Sequence, residues 1–388
     1  MKRAPAYLVL LTVFIDLLGF GIIIPLLPFY ALHFGASAIV IGLLTSSYSL
    51  MQFLFVPFWG RLSDRIGRRP IILMSVTGSF ISYLIFGFAD SLAVLFVSRV
   101  LAGFMGANIS TAQAYIADST SFEERAKYMG LIGAAFGVGF MLGPFIGGIM
   151  SKISYGTPGF FASGLSLINA VLAYYLLPES LKDKSVPAKK LRLFNAAAIR
   201  EAFRRKGVGS LVLVFFFYTV AFSVLYVAFP LFSQKKLGYG AAQNGYFFAY
   251  VGFIGILIQG GAIGRLANNL GERSLLIVGL SSFFIALALI ASNHMLPLLI
   301  ISATLLAIGS SLVIPSLTSL ISKYAKAGEH GTTLGVSQSF ASLGRVIGPF
   351  LGGLIFSSAG IAWPFYASGF MILIALLLAS SASSSIEK

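Results

Sequence analysis

Three ionisable residues lie within long apolar runs of this chain: Asp16, Arg99 and Arg345. A charge at such a place is costly, and it marks a pathway, a proton relay or an ion pair. Asp16 is the lone acid of the three, about 13 Å into the first apolar run at 1.5 Å per helical residue. Burial favours its neutral form and a nearby Arg its ionised form, so a carboxylate balanced between them can take up and release a proton. The competing reading is a fixed ion pair with Arg99. Arg345 has Phe140 at the corresponding place in the first half, so no structural repeat demands a cation there. With Asp16 ionised, the three charges sum to a net positive cluster, which predicts tolerance of anionic or zwitterionic amphiphiles.

The elements that carry these residues are helices at membrane depth. Of 388 residues, 57% are hydrophobic and 10% charged, against about a quarter charged in soluble domains. The apolar runs are long enough for ~20-residue spanning helices. They are continuous rather than alternating, which excludes a membrane β-barrel. The spans predicted are 6–31, 37–60, 70–90, 92–117, 127–150, 158–178, 208–233, 241–264, 274–292, 295–322, 332–358 and 361–381. The first run, from Tyr7, is too long for the apolar region of a cleaved signal and lacks a cleavage site.

The net charge of +15 does not point to nucleic acid, because the basic residues sit in short loops on one side of the spans. Arg61, Arg65, Arg68, Arg69, Arg125, Lys127, Arg265, Arg273 and Lys323 share that side with both termini, while only Lys152, Lys235 and Lys236 fall on the other. This asymmetry predicts an inner-membrane protein with both termini in the cytoplasm. It also favours an even number of spans. Residues 179–207 form the one long polar stretch, expected as a cytoplasmic linker between halves 1–178 and 208–388. Within it, 189–206 reads either as a basic amphipathic helix on the anionic leaflet or as a tether.

The halves repeat one another. Gly60-Arg61-Leu62 with Gly67 recurs as Gly264-Arg265-Leu266 with Gly271. Gly143-Pro144-Phe145 with Gly147-Gly148 recurs as Gly348-Pro349-Phe350 with Gly352-Gly353. Pro25-Leu26 recurs as Pro230-Leu231, and Met129-Gly130 aligns with Leu334-Gly335. Parallel repeats about an axis along the membrane normal are one transporter architecture, with substrate near the midplane between them. The expected fold is therefore an all-α membrane protein of twelve transmembrane helices in two six-helix bundles related by a pseudo-two-fold axis.

Several motifs carry their own physics. Gly139, Gly143 and Gly147 line one face of the fifth span, as do Gly344, Gly348 and Gly352 in the eleventh. Small residues so spaced let backbones approach closely. Pro144 and Pro349 each remove one backbone hydrogen bond and favour a kink. The stripe reads either as a hinge at a gate or as tight static packing. In the loop Gly60 to Pro70, Gly67 permits a tight turn, and Asp64 suits a helix N-terminus. The second copy has Asn268 in place of Asp64. These basic loop residues read either as a gate or as topology signals alone.

This loop, Gly60-Arg61-Leu62-Ser63-Asp64-Arg65-Ile66-Gly67-Arg68-Arg69-Pro70, resembles the signature of the major facilitator superfamily. Arg99 with Gly103 and Gly106 is similar to its second motif. Gly139, Gly143-Pro144 and Gly147-Gly148 are similar to the motif of its proton–drug antiporters of twelve helices. Asp16-Leu17-Leu18-Gly19 through Pro25 and Pro28, Met51-Gln52, and Ala117-Asp118 resemble the tetracycline exporters. The resemblance covers the whole chain and implies a bridge from Arg68 to Asp118, with Asp64 near the start of the eleventh span. Such a latch would hold the cytoplasmic side closed in an outward-open state. Gating is thus expected at Gly60, Asp64, Arg65, Gly67, Arg68, Asp118, Gly139, Gly143, Pro144 and Gly147, and proton coupling at Asp16 with Arg99. The chain departs from the tetracycline exporters in lacking their further membrane carboxylates. Ser82 stands at the third-helix position and the ninth span has no acid, which argues against metal–tetracycline as substrate.

Aromatic and polar residues facing inward would line a substrate cavity. The candidates are Tyr48, Gln52, Asn108, Gln113 and Phe136 in the first half, and Tyr218, Phe222, Tyr226, Gln338 and Arg345 in the second. No metal is expected: there is no Cys, and His33, His294 and His330 fall in loops or at helix ends. No cofactor motif and no phosphate-binding Gly-Lys-Ser/Thr loop occurs, so an enzyme or an ATP-driven pump is not expected. The reading is a proton-coupled exporter of amphiphilic small molecules, with the bilayer, protons and such molecules as its partners, and a monomer. A lipid flippase, or a sugar or organic-anion carrier of the same fold, is the alternative.

Overall fold

The computed structural model describes residues 4–181, 196–204, 207–292, 295–325 and 330–384. Among these residues every regular element is helical. Eleven helices are long and apolar enough to cross a membrane. One of them, Ala241–Ser292, is 52 residues long, about 78 Å at 1.5 Å per residue, against a hydrocarbon core of ~30 Å. It is broken at Gly271, whose φ of 76° and ψ of 151° are not helical. It therefore makes two crossings, and the described residues contain twelve.

The first span is two helices, α1 (Ala4–Ile23) and α2 (Leu27–His33), where the sequence predicts one. Pro25 and Pro28 cannot donate to the helical ladder, and the chain turns at 24–26. Next come α3 (Ala38–Ile66) and α4 (Arg68–Gly87), separated by Gly67 at φ 114°. The fourth span is also broken, into α5 (Leu92–Phe104) and α6 (Asn108–Ser119). Then follow α7 (Phe122–Met150) and α8 (Thr157–Leu176). Ser121 caps α7 by accepting the Glu124 N–H at 3.3 Å, the first half of a capping box.

Of the predicted linker, 182–195 and 205–206 lie outside the described residues. Of the rest, residues 179–181 and 207 are not helical and the others form α9 (Ala196–Arg204). Part of its apolar side packs on the second unit, while Phe203 keeps 40% of its surface exposed. Ala202 is buried with Val208, Val212 and Val336, beside Ile199, and the Phe203 ring meets Phe340 at 5.5 Å. These contacts replace the loose tether with a helix docked on the second unit over Ala196–Arg204. α10 (Val208–Leu237) ends at Gly238 in the left-handed region, with Tyr239 N–H donating to Ser233 O at 3.1 Å as in a Schellman cap. α11 (Ala241–Leu257) runs through a π turn (Ile258–Ala262) into α12 (Ile263–Ser292), followed by α13 (Leu296–Tyr324), α14 (His330–Ser358) and α15 (Trp363–Ser384).

Contacts divide the chain into two compact units: Met1–Ala36, Ser47–Leu191 and Gly240–Ala249 in one, and Ser37–Ser46, Arg192–Tyr239 and Tyr250–Lys388 in the other. In the first unit α1 packs on α7, α8 and α6, and α4 packs on α8. The glycine stripe of α7 lies on the α1 backbone. A Cβ at Gly143 would stand 2.6 Å from Gly21 C, and one at Gly147 2.5 Å from Ile22 O. The opening of α11 belongs to this unit through Gly245, which presses on Pro144 O.

The second unit repeats the arrangement. Gly344, Gly348 and Gly352 of α14 lie against Phe216 to Val224 of α10. The start of α3 joins this unit: Ser46 Oγ donates to Val346 O at 2.7 Å, and a Cβ on Gly42 would stand 2.6 Å from Pro349 O. A side chain at Gly42, Gly143, Gly147, Gly245 or Gly348 would have to move backbone, and one at Gly344 or Gly352 would be tight.

Candidate functional site

Asp16 faces the interior of the first unit. Ser79 Oγ on α4 donates to Asp16 Oδ1 at 3.0 Å. The Asn108 amide at the start of α6 faces the same carboxyl and also donates to Thr12 O, one turn before Asp16, at 3.3 Å. The Asn108 Oδ1 is buried with no partner. The Asp16 side chain is half-buried, neither sealed in the core nor turned outward.

Arg99 does not pair with it. The guanidinium is 2% exposed and lies over the rings of Phe86 at 5.1 Å and Tyr83 at 5.9 Å. Its Nε and Nη2 donate to Ser98 Oγ at 3.2 and 3.1 Å. A buried cation over aromatic faces is held by the ring quadrupoles. Tyr83 also meets Gly19, one turn from Asp16: a Cβ there would be 2.9 Å from the Tyr83 hydroxyl oxygen. Tyr83 thus packs between Arg99 and the turn of α1 that carries Gly19, and no direct ion pair joins Asp16 to Arg99 among the described residues. The fixed-pair alternative falls on that observation.

The break in the fourth span lies between Arg99 and Asn108. Breaking a helix at membrane depth frees backbone groups that lipid cannot satisfy. Here side chains take up the carbonyls. Trp59 Nε1 donates to Phe104 O at 2.6 Å, Ser75 Oγ to Met105 O at 2.5 Å, and Gln52 Nε2 to Gly106 O at 3.3 Å. Gln52 also meets the Tyr48 hydroxyl at 3.2 Å. Gly103 is required here because its α-carbon faces the Tyr48 backbone oxygen too closely for any side chain. The break brings Asn108 to Asp16 and sets Gln52 and Tyr48 beside it, with Tyr48 meeting α1 through Phe20.

Around them is an aromatic cluster: Phe20 meets Tyr48 at 5.1 Å and Phe140 at 5.7 Å, and Phe140 stacks on Phe136 at 6.4 Å. Of these, Tyr48 and Phe136 were legible as candidates. Phe20, Phe140, Ser79 and Tyr83 were not, although Phe20 lies one turn from Asp16 on α1. Gln113 is exposed on α6 and Gln338 is exposed on α14.

In the second unit Tyr218, Phe222 and Tyr226 form a ladder on α10, with ring separations of 6.0 and 5.5 Å. Tyr218 is fully buried and packs edge-on to Phe283 at 5.4 Å, so it belongs to the core. Phe222, Tyr226 and Arg345 are half-buried.

The loop residues assemble as a node at Gly67–Arg68. Arg68 Nε donates to Asp118 Oδ2 at 2.9 Å, and its Nη1 reaches Asp64 Oδ1 at 2.5 Å and Ser63 Oγ at 2.7 Å. The bridge implied between Arg68 and Asp118 is present. Arg65 is exposed, and Gly60 has open space about its α-carbon. Glu179, absent from the candidates, completes the node. It accepts from the backbone N–H of Arg68 at 2.8 Å and of Arg69 at 3.2 Å, so a carboxylate sits on the N-terminus of α4. The Gly67 α-carbon lies directly against this carboxylate and leaves no room for a side chain. An acid just after an apolar span is the signal that could have revealed it. His33 meets the Phe34 and Tyr155 rings, and His294 lies outside the described residues.

Twelve crossings, a repeated glycine-packed core and charges within the spans define a multi-pass membrane transporter, not an enzyme. The chain belongs to the Major Facilitator Superfamily, whose family model matches residues 9–263 and 260–383. It is 30% identical over 356 residues to tetracycline resistance protein class B of Escherichia coli, covering 90% of this chain and 88% of that one. It is 31% identical over 383 residues to multidrug resistance protein 2 of Bacillus subtilis, covering 97% and 94%. Among solved structures it resembles the human organic anion transporter MFSD10 (TETRAN), at 27% identity and a TM-score of 0.75, covering 97% of this chain and 99% of that one.

Proposed function

We propose that this transporter exports amphiphilic small molecules in exchange for protons across an inner membrane, with both termini in the cytoplasm. Asp16 is the group that gains and loses the proton. The observation that carries this reading is its setting: a half-buried acid bonded to Ser79, faced by Asn108, and left without a direct Arg partner. An acid locked to Arg99 would stay ionised through the cycle; one held only by neutral donors can change state. Arg99, fixed by Phe86, Tyr83 and Ser98, acts on that change through Tyr83 rather than by contact.

Phe20, Tyr48, Phe136 and Phe140 offer the apolar surface that amphiphiles need. The node at Arg68 is the gate element. Relatives named for tetracycline and multidrug resistance support export over uptake. The test is uptake into everted vesicles of a panel of cationic, neutral and anionic amphiphiles. Accumulation that collapses when the proton gradient is discharged supports the reading. Accumulation driven by ATP, with the gradient abolished, contradicts it.

A second reading, a carrier for organic anions, is favoured by Arg345 and by the name of the MFSD10 relative. In that case the anionic members cross the membrane whether or not the proton gradient is present.

A further inference from the structure

The second unit holds a cation where the first holds an aromatic ring. Phe140 on α7 belongs to the cluster with Phe20 and Phe136; its counterpart on α14 is Arg345. The depth of Arg345 is fixed by glycine packing on either side of it. A Cβ on Gly344 would stand 3.1 Å from Val220 N, and one on Gly348 2.7 Å from Val220 O. The backbone of Arg345, next to Gly344, is therefore level with Val220 of α10, within about two turns of Phe222 and Tyr226 on that helix.

Its side chain is aimed by Ser342, one turn back on the same helix, to which Nη2 donates at 2.8 Å. It is close enough to Tyr226 for the guanidinium and phenol to interact electrostatically. The ladder packs against α12, where Phe222 meets Phe283 at 6.0 Å. Phe222, Tyr226 and Arg345 each keep part of their surface open. Of the second half's acids, Glu272, Glu329 and Glu387, none falls within a predicted span.

We propose that Arg345, with Phe222 and Tyr226 as an apolar platform, binds the carboxylate or sulfonate of an amphiphilic substrate. A guanidinium recognises such a group by a pair of parallel hydrogen bonds. The adjoining rings take the substrate's apolar body. This inference rests on the export reading and narrows its substrate class to molecules with an anionic head and an aromatic or alkyl body.

The test is equilibrium binding of two dansyl probes to purified full-length protein at fixed pH. One is dansyl-aminohexanoate; the other carries a trimethylammonium in place of the carboxylate. Arg345→Ala is expected to weaken the carboxylate probe by at least about tenfold, the scale of a lost charge-assisted hydrogen bond. The trimethylammonium probe should be held about as well as by wild type. Arg345→Lys should keep part of the preference and Arg345→Glu should reverse it. Equal carboxylate binding by wild type and Arg345→Ala overturns the site. So does an equal loss of both probes in variants that remain monodisperse with wild-type melting, and so does wild-type protein that binds neither. No gradient is present in this measurement. Its failure leaves proton-driven export standing, and gradient-independent transport in vesicles leaves this site standing.

Discussion

Lys323 Nζ donates to Glu272 Oε1 at 2.5 Å, and these two residues stand in the second half where Asp118 and Arg68 stand in the first. The correspondence follows from Gly67 and Gly271, both at positive φ, and from the shared register of the two glycine-proline motifs. In each half one charge opens the helix after the glycine and the opposite charge closes a neighbouring span. The signs are exchanged. What the repeat retains is the attraction and not the residue types.

The exchange predicts that the second pair tolerates reversal. Glu272→Lys with Lys323→Glu should restore whatever either single variant loses. Each single change should cost under about 1 kcal/mol, as expected of a partly exposed pair. The Lys323 ammonium holds the Glu272 carboxyl below its ordinary value of 4.5. The pair's contribution is thus complete above about pH 4.5 and is lost as pH falls through the depressed value. A double-mutant cycle on melting temperature at two pH values measures both. Additive single effects contradict the coupling.

The node around Arg68 is predicted to be less forgiving. Arg68 is buried and serves Asp64, Asp118 and Ser63 at once, with Glu179 on its backbone. Asp118 and Asp64 keep 28% and 40% of their side chains exposed, so losing Arg68 should cost more than the ~1 kcal/mol of a surface pair and less than the about 3–5 kcal/mol of a fully buried one. Arg68→Ala should lower both transport and thermal stability, and Arg68→Lys should rescue little, because one ammonium cannot reproduce the fork. Transport in vesicles and melting in detergent are the readouts. Full activity of Arg68→Lys would show that charge alone suffices.

The glycine stripe makes a prediction at two positions on one helix. Gly143→Ala drives a methyl into the Gly21 backbone, whereas Gly133 has nothing within 4 Å. Overpacking a close contact costs about 1–3 kcal/mol. Gly143→Ala should therefore melt several degrees lower, and Gly133→Ala should be neutral. Equal melting of the two would remove the close-packing account of the stripe.

The fold was legible because each crossing is a long apolar run, and hydropathy over about 20 residues does not depend on exact pairing. The same averaging hid the breaks. Pro25 and Pro28 were visible, yet the window ran through them. At Gly103 and Gly106 the break depends on Trp59, Ser75 and Gln52, residues of two other spans, which no local pattern links to those carbonyls.

The site followed the same rule. Asp16, Arg99 and Arg345 stood out as charges among apolar neighbours. Ser79 and Tyr83 did not, since a Ser or Tyr within a span is ordinary until the packing of α4 brings it against Asp16 and Gly19. Glu179 was missed because it lies beyond its span and acts on another helix's N-terminus.

Proton release on substrate binding tests the role of Asp16 most directly. Purified protein in weakly buffered detergent solution is titrated with an amphiphile that wild type transports, and the pH change is recorded beside binding. The account predicts protons released by wild type, and none by Asp16→Asn although that variant still binds the amphiphile. Equal release from both proteins would contradict it.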